Sequence, residues 1–125
     1  MMNAMTTFKV EVVLKGSDTA VTESLTVPHG PPSTWDEAAI SDVLAETLRA
    51  IDRAQNPKAP RHRPVSLLGF SWIVEPLDGQ VVLAIEIPMG AAVAGPFDLP
   101  QAQLDALITR TIHFERMKTS SPVVH

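Results

Sequence analysis

Three cations gather in one stretch of this chain. Lys58, Arg61 and Arg63 lie between Gln55 and Pro64 with His62 between the arginines and no acid among them. Guanidinium groups grip a phosphate or carboxylate through paired N–H donors, and an imidazole titrating near neutrality can move a proton beside them. Arg61, His62 and Arg63 are therefore the expected ligand-binding residues, and the ligand class is an anion. His29, in a second proline-rich loop, and Trp35, at a helix start after that loop, are grouped with them, Trp35 because its ring would line a cleft. Each has a plainer reading. The cluster can be a solvated charged loop, and Trp35 can fold over the end of the core. No catalytic residue is assigned.

Other spacings come close to known chemistry and miss it. Gly90 and Gly95 have the separation of a phosphate-binding loop, but Pro96 and Phe97 stand where Lys and Ser or Thr are needed. Gly69-Phe70-Ser71-Trp72-Ile73 begins like a nucleophile elbow and ends on Ile73 instead of glycine. His29, His62, His113 and His125 show no metal-ligand spacing. Glu75 and Glu86 share one face of a ribbon but sit rows apart, as solvent-facing charges do. No cofactor and no metal is expected.

Composition excludes more. The chain has 125 residues, 10 basic against 14 acidic for a net charge of −4, and no cysteine. There is no disulfide framework and no thiol nucleophile. An acidic chain with 5% aromatic residues is a poor nucleic-acid binder. Its apolar runs are far shorter than the roughly 20 residues of a membrane span, and Met1 to Thr6 lacks the basic and apolar regions of a signal peptide. The expectation is a cytoplasmic single domain over residues 1–125, with flexible ends at 1–6 and 118–125.

The positioning elements follow from periodicity. Phe8–Lys15 alternates apolar and polar residues as a half-buried strand does, and Val21–Val27 is its hairpin partner across Gly16-Ser17-Asp18-Thr19. Thr34-x-x-Glu37 has the form of a capping box and opens a helix from about Trp35 to Ala54, with Ile40, Val43, Leu44, Leu48 and Ile51 on its buried stripe. Val65–Glu75 and Gln80–Pro88 form a second hairpin, whose pairing of Glu75 with Gln80 makes one face wholly apolar. A two-residue Asp78-Gly79 loop would shift the pairs and keep the faces. Met89–Pro100 reads as a loop of small apolar residues. Asp98-Leu99-Pro100-Gln101 carries a cap signal for a second helix to about Glu115.

The expected fold is α+β: a four-stranded antiparallel sheet with two helices on one face, in the order ββαββα. That leaves Val13, Ile73, Val82 and Ala84 on the outer sheet face, which is too apolar for water alone. The function expected is a small soluble binding module that acts as a homodimer through that face. The alternative is a small-molecule enzyme acting on an anionic substrate near Arg61-His62-Arg63. Neither nucleic acid nor membrane is an expected partner.

Overall fold

The structure is a computed structural model that describes residues 4–58 and 64–120. β1 (Thr6–Leu14) and β2 (Ala20–Val27) form the first hairpin. A short 3-10 turn (Pro32–Thr34) leads into α1 (Glu37–Gln55). β3 (Ser71–Leu77), β4 (Gln80–Ile87) and β5 (Gly90–Phe97) form a meander, and α2 (Gln101–Ser120) closes the described chain. All strand pairs are antiparallel, in the spatial order β2-β1-β5-β4-β3.

The fold class is thus α+β with two helices and an antiparallel sheet, but the sheet has five strands and the order is ββαβββα. The segment expected to be a loop is β5, the central strand. Its inner residues Ala92, Ala94 and Phe97 are buried, and its outer residues are Ala91 and Val93. Two features suit it to the middle of the sheet. A Cβ at Gly90 would lie 2.6 Å from the Val13 carbonyl oxygen, so only glycine lets β5 run this close to β1. Pro96 falls where the register shifts between Val81 and Leu83, at a bulge with Gly95 at φ 118°. A proline, which has no N–H to give to a ladder, is accommodated at such a break.

Alternation decides the faces. Phe8, Val10 and Val12 of β1, Leu25 and Val27 of β2, and Val81, Leu83 and Ile85 of β4 point inward with the β5 residues. Both helices cover that inner face: α1 lies on β1, β2 and β5, and α2 lies on β3 and against α1. Ile40, Val43, Leu44, Leu48 and Ile51 supply the stripe of α1, and Leu104, Leu107, Ile108 and Ile112 that of α2.

The second hairpin turns through Asp78 (φ 49°) and Gly79 (φ 83°), a two-residue loop that pairs Leu77 with Gln80, Val74 with Leu83 and Trp72 with Ile85. The pairing of Glu75 with Gln80 is therefore displaced by two residues while the faces are kept. β3 also starts later than expected and includes Pro76, which an edge strand tolerates.

The cap of α1 moves as well. Asp36, not Thr34, is the N-cap, and its carboxylate accepts the Ala39 N–H at 2.9 Å. Thr34 ends the 3-10 turn and donates its hydroxyl to the Pro31 carbonyl at 2.7 Å. At α2 the Gln101 amide donates to the Val74 carbonyl at 3.0 Å rather than reaching back toward Asp98. α2 continues through Ser120, past the expected end at Glu115 and into the stretch expected to be flexible.

Candidate functional site

His29 and Trp35 frame the N-terminal end of α1. The His29 Nε2 lies 2.6 Å from Asp42 Oδ2, one turn into the helix, with the imidazole about a quarter exposed. The Thr6 hydroxyl lies 2.9 Å from the His29 carbonyl and 2.6 Å from that of Gly30. Trp35 is 5% exposed; its Nε1 donates to the Gly30 carbonyl at 2.9 Å, and its ring stands edge-on to Phe97 at 5.2 Å, which in turn meets Phe8 at 5.1 Å. The indole thus folds over the end of the core, and the hydrogen bonds around His29 fasten the β2–α1 connection to the first strand and to the helix.

The basic cluster reaches the described part of the chain only at its borders. Lys58 is exposed, while Arg61, His62 and Arg63 lie outside the described residues. The chain re-enters at Pro64, in the wall of a recess of about 200 Å3 between the C-terminal half of α1 and the β4–β5 turn. Leu48, Val65, Leu68, Phe70 and Met89 make it apolar, and Asp52 stands at its rim. Asp42 and Asp52 are ten residues apart on α1, or about 15 Å at the helical rise. His29 and this recess therefore stand at different ends of the helix and do not share a cleft.

The outer sheet face holds the other expected residues, and here the structure assembles them. Register sets them in two neighbouring rows: Glu11–Val93–Ala84–Ile73 and Val13–Ala91–Glu86–Ser71. Val82 stands opposite Glu75 beside them. Val13, Val93 and Ile73 are 41%, 42% and 52% exposed, although valine and isoleucine usually lie inside. Lys9, Glu11, Glu75 and Glu86 interrupt and rim the patch. Ala91 and Val93 belong to the patch as well, because the segment expected to be a loop is the central strand β5. The signal for them is the alternation of Ala92 and Ala94 with Ala91 and Val93, hidden because both faces of β5 are apolar and because the bulge at Gly95-Pro96 shifts Phe97 out of phase.

Where the patch meets the end of the sheet, an open groove of about 910 Å3 runs between Lys15, Ser17, Ser71, Glu86 and Arg116. Ser71 lies on the outer sheet face, opposite Glu86, as a small side chain and not at a strand-to-helix turn. Among the described residues no three His, Asp or Glu side chains come together to hold a metal ion. No helix among them is long and apolar enough to cross a membrane.

Compared with protein-family models, with curated proteins and with solved structures, the chain matches none. The functional reading therefore rests on the geometry above.

Proposed function

We propose that this protein is a small interaction module that self-associates through its outer sheet face. The observation that carries the reading is the clustering of Val13, Ala91, Val93, Ala84, Ile73 and Val82 on a face that neither helix covers. Contiguous apolar surface of this kind, rimmed by polar side chains, marks contact sites. A second copy presenting the same face satisfies the isologous symmetry that most homodimers use. The rim acids would then be brought near one another, so charge sets alignment rather than strength.

Light scattering at micromolar concentration tests the reading. The unmodified chain should have a larger mass than the Val93→Glu chain, because a carboxylate in the middle of the patch opposes its burial. Identical masses for the two chains would sink it.

The small-molecule alternative has one observation in its favour. The apolar recess of about 200 Å3 begins at Pro64, the residue after Arg63. An anionic substrate with an apolar body would use both the recess and the basic side chains that precede it. Thermal shifts with phosphate monoesters and small carboxylates, lost on Arg61→Ala and Arg63→Ala, would favour an enzyme or a ligand-binding role there. No shift with any of them leaves the interaction module ahead.

A further inference from the structure

The two edges of the sheet differ. β3 at one edge is guarded: it carries Pro76, and its Val74 carbonyl is taken by the Gln101 side chain of α2. Among the described residues, β2 at the other edge has neither guard. It runs eight residues, Ala20-Val-Thr-Glu-Ser-Leu-Thr-Val27, with no proline and no lysine, and pairs with β1 from Val27 to Ala20 without a register shift. Its single charge, Glu23, points to the helix side and is already bound by Arg53 of α1, whose Nε donates to Glu23 Oε1 at 3.0 Å. Proteins normally blunt a free edge with proline, lysine, a bulge or an inward-pointing charge, because a bare one recruits another strand; the one inward charge of β2, Glu23, is neutralised by Arg53. A long, regular edge whose one charge is paired within the chain, opposite a guarded edge, is the pattern of an edge that is used.

We infer that β2 pairs antiparallel with β2 of a second copy, centred on Ser24. The register follows from parity and charge. Keeping both helix layers on one side of a continuous sheet requires the paired residue numbers to sum to an even value, since a one-residue slip exchanges the faces. Centring on Glu23 would set two carboxylates directly opposite each other, which is unfavourable. Centring on Thr22 would leave fewer residues paired. Centring on Ser24 pairs Thr22 with the partner's Thr26, Glu23 with the partner's Leu25 and Val21 with the partner's Val27. The outer face of the junction is then a run of Thr and Ser hydroxyls, which pair well across strands. Val21, 46% exposed in the single chain, gains an apolar neighbour. Backbone ladder bonds supply the attraction, as in other strand additions.

This contact is independent of the outer-face contact. If both operate, two edge-paired dimers stack by their outer faces into a tetramer of dihedral symmetry.

The chain has no cysteine, so a single introduced thiol reports the register. The experiment uses the Val93→Glu background, in which the face contact is removed. Residues directly opposite have Cβ atoms about 4.5–5.5 Å apart, close to the span of a disulfide. Under mild oxidation Ser24→Cys should cross-link to a covalent dimer. Thr22→Cys and Thr26→Cys should each stay single alone and cross-link when mixed. Ser24→Glu, which faces Lys9 within the chain, should fold normally by circular dichroism yet sediment as a monomer where its Val93→Glu parent is a dimer. Ser24→Cys cross-linking no faster than either threonine position overturns the proposal. So does a Val93→Glu parent that is monomeric throughout, including one that instead takes up an extended peptide along β2. Failure of the face reading is seen separately, as equal masses for the unmodified and Val93→Glu chains.

Discussion

Arg53, in the last turn of α1, places its guanidinium on Glu23 in the middle of the edge strand β2. The contact is the polar counterpart of the apolar packing beneath it: it fixes where the helix ends over the strand. Both side chains are largely shielded, at 17% and 29% exposure, so the pair is worth more than a surface ion pair. Arg53→Met should lower stability by about 1–2 kcal/mol in urea titration. A loss within about 0.3 kcal/mol would show that the pair only decorates the surface.

The two residues that compete for the cap of α1 can be separated. Asp36→Ala removes the acceptor of the Ala39 N–H and should cost about 1 kcal/mol. Thr34→Ala removes only a hydroxyl bound within the preceding turn and should stay within about 0.5 kcal/mol. Equal losses would put the helix start two residues earlier than described.

Gly90 should resist substitution. Gly90→Ala drives a methyl group toward the Val13 carbonyl, which is backbone and cannot swing aside. Overpacking of this kind costs about 1–3 kcal/mol. A melting temperature equal to that of the unmodified protein would mean that β5 does not approach β1 this closely.

Glu37 and Arg110 link the starts and middles of the two helices, with Arg110 Nε donating to Glu37 Oε1 at 2.8 Å. That hydrogen bond, more than the charge alone, holds the Glu37 carboxyl below its usual range. A carboxyl lowered by folding contributes stability above its unfolded pKa and loses it as pH falls through the folded value. The difference in melting temperature between the unmodified protein and Glu37→Gln should therefore be constant near neutrality and shrink below about pH 4. It should also shrink in high salt, since both groups are exposed. A difference that grows toward acid would contradict the pairing.

Much of the architecture was legible because alternation is strong in some strands. Phe8, Val10 and Val12 against Lys9 and Glu11 leave one choice of face, and Val81, Leu83 and Ile85 leave one for β4. The inner face of the second hairpin survived a two-residue error in pairing because the parity was unchanged. β5 was not legible for the opposite reason. Ala91, Ala92, Val93 and Ala94 are apolar on both faces, and Gly90, Gly95 and Pro96 are the residues that punctuate loops. Their meaning there is tertiary: close approach to β1, and a bulge opposite Val82. The cap of α1 is not legible because Thr34 and Asp36 are both good cap residues, and only the 3-10 turn decides between them. On the site side, alternation alone puts the outer-face residues of β1, β3 and β4 on one face. The rows that join them need β5, which lies between β1 and β4. His29 and Trp35 shared a proline-rich surrounding with the basic cluster, and composition carries no information on which end of a helix a loop returns to.

The seam between β1 and β5 sets a timetable for the chain. Val10 meets Ala94 and Val12 meets Ala92, partners drawn from nearly opposite ends of the sequence. During synthesis the β1–β2 hairpin and α1 emerge first, with one side of β1 bare until Gly90–Phe97 arrives. Pairings this distant in sequence slow folding, because the loop must close before any contact compensates for it. The strand that reads least like a strand is thus the one whose arrival joins the two halves of the sheet.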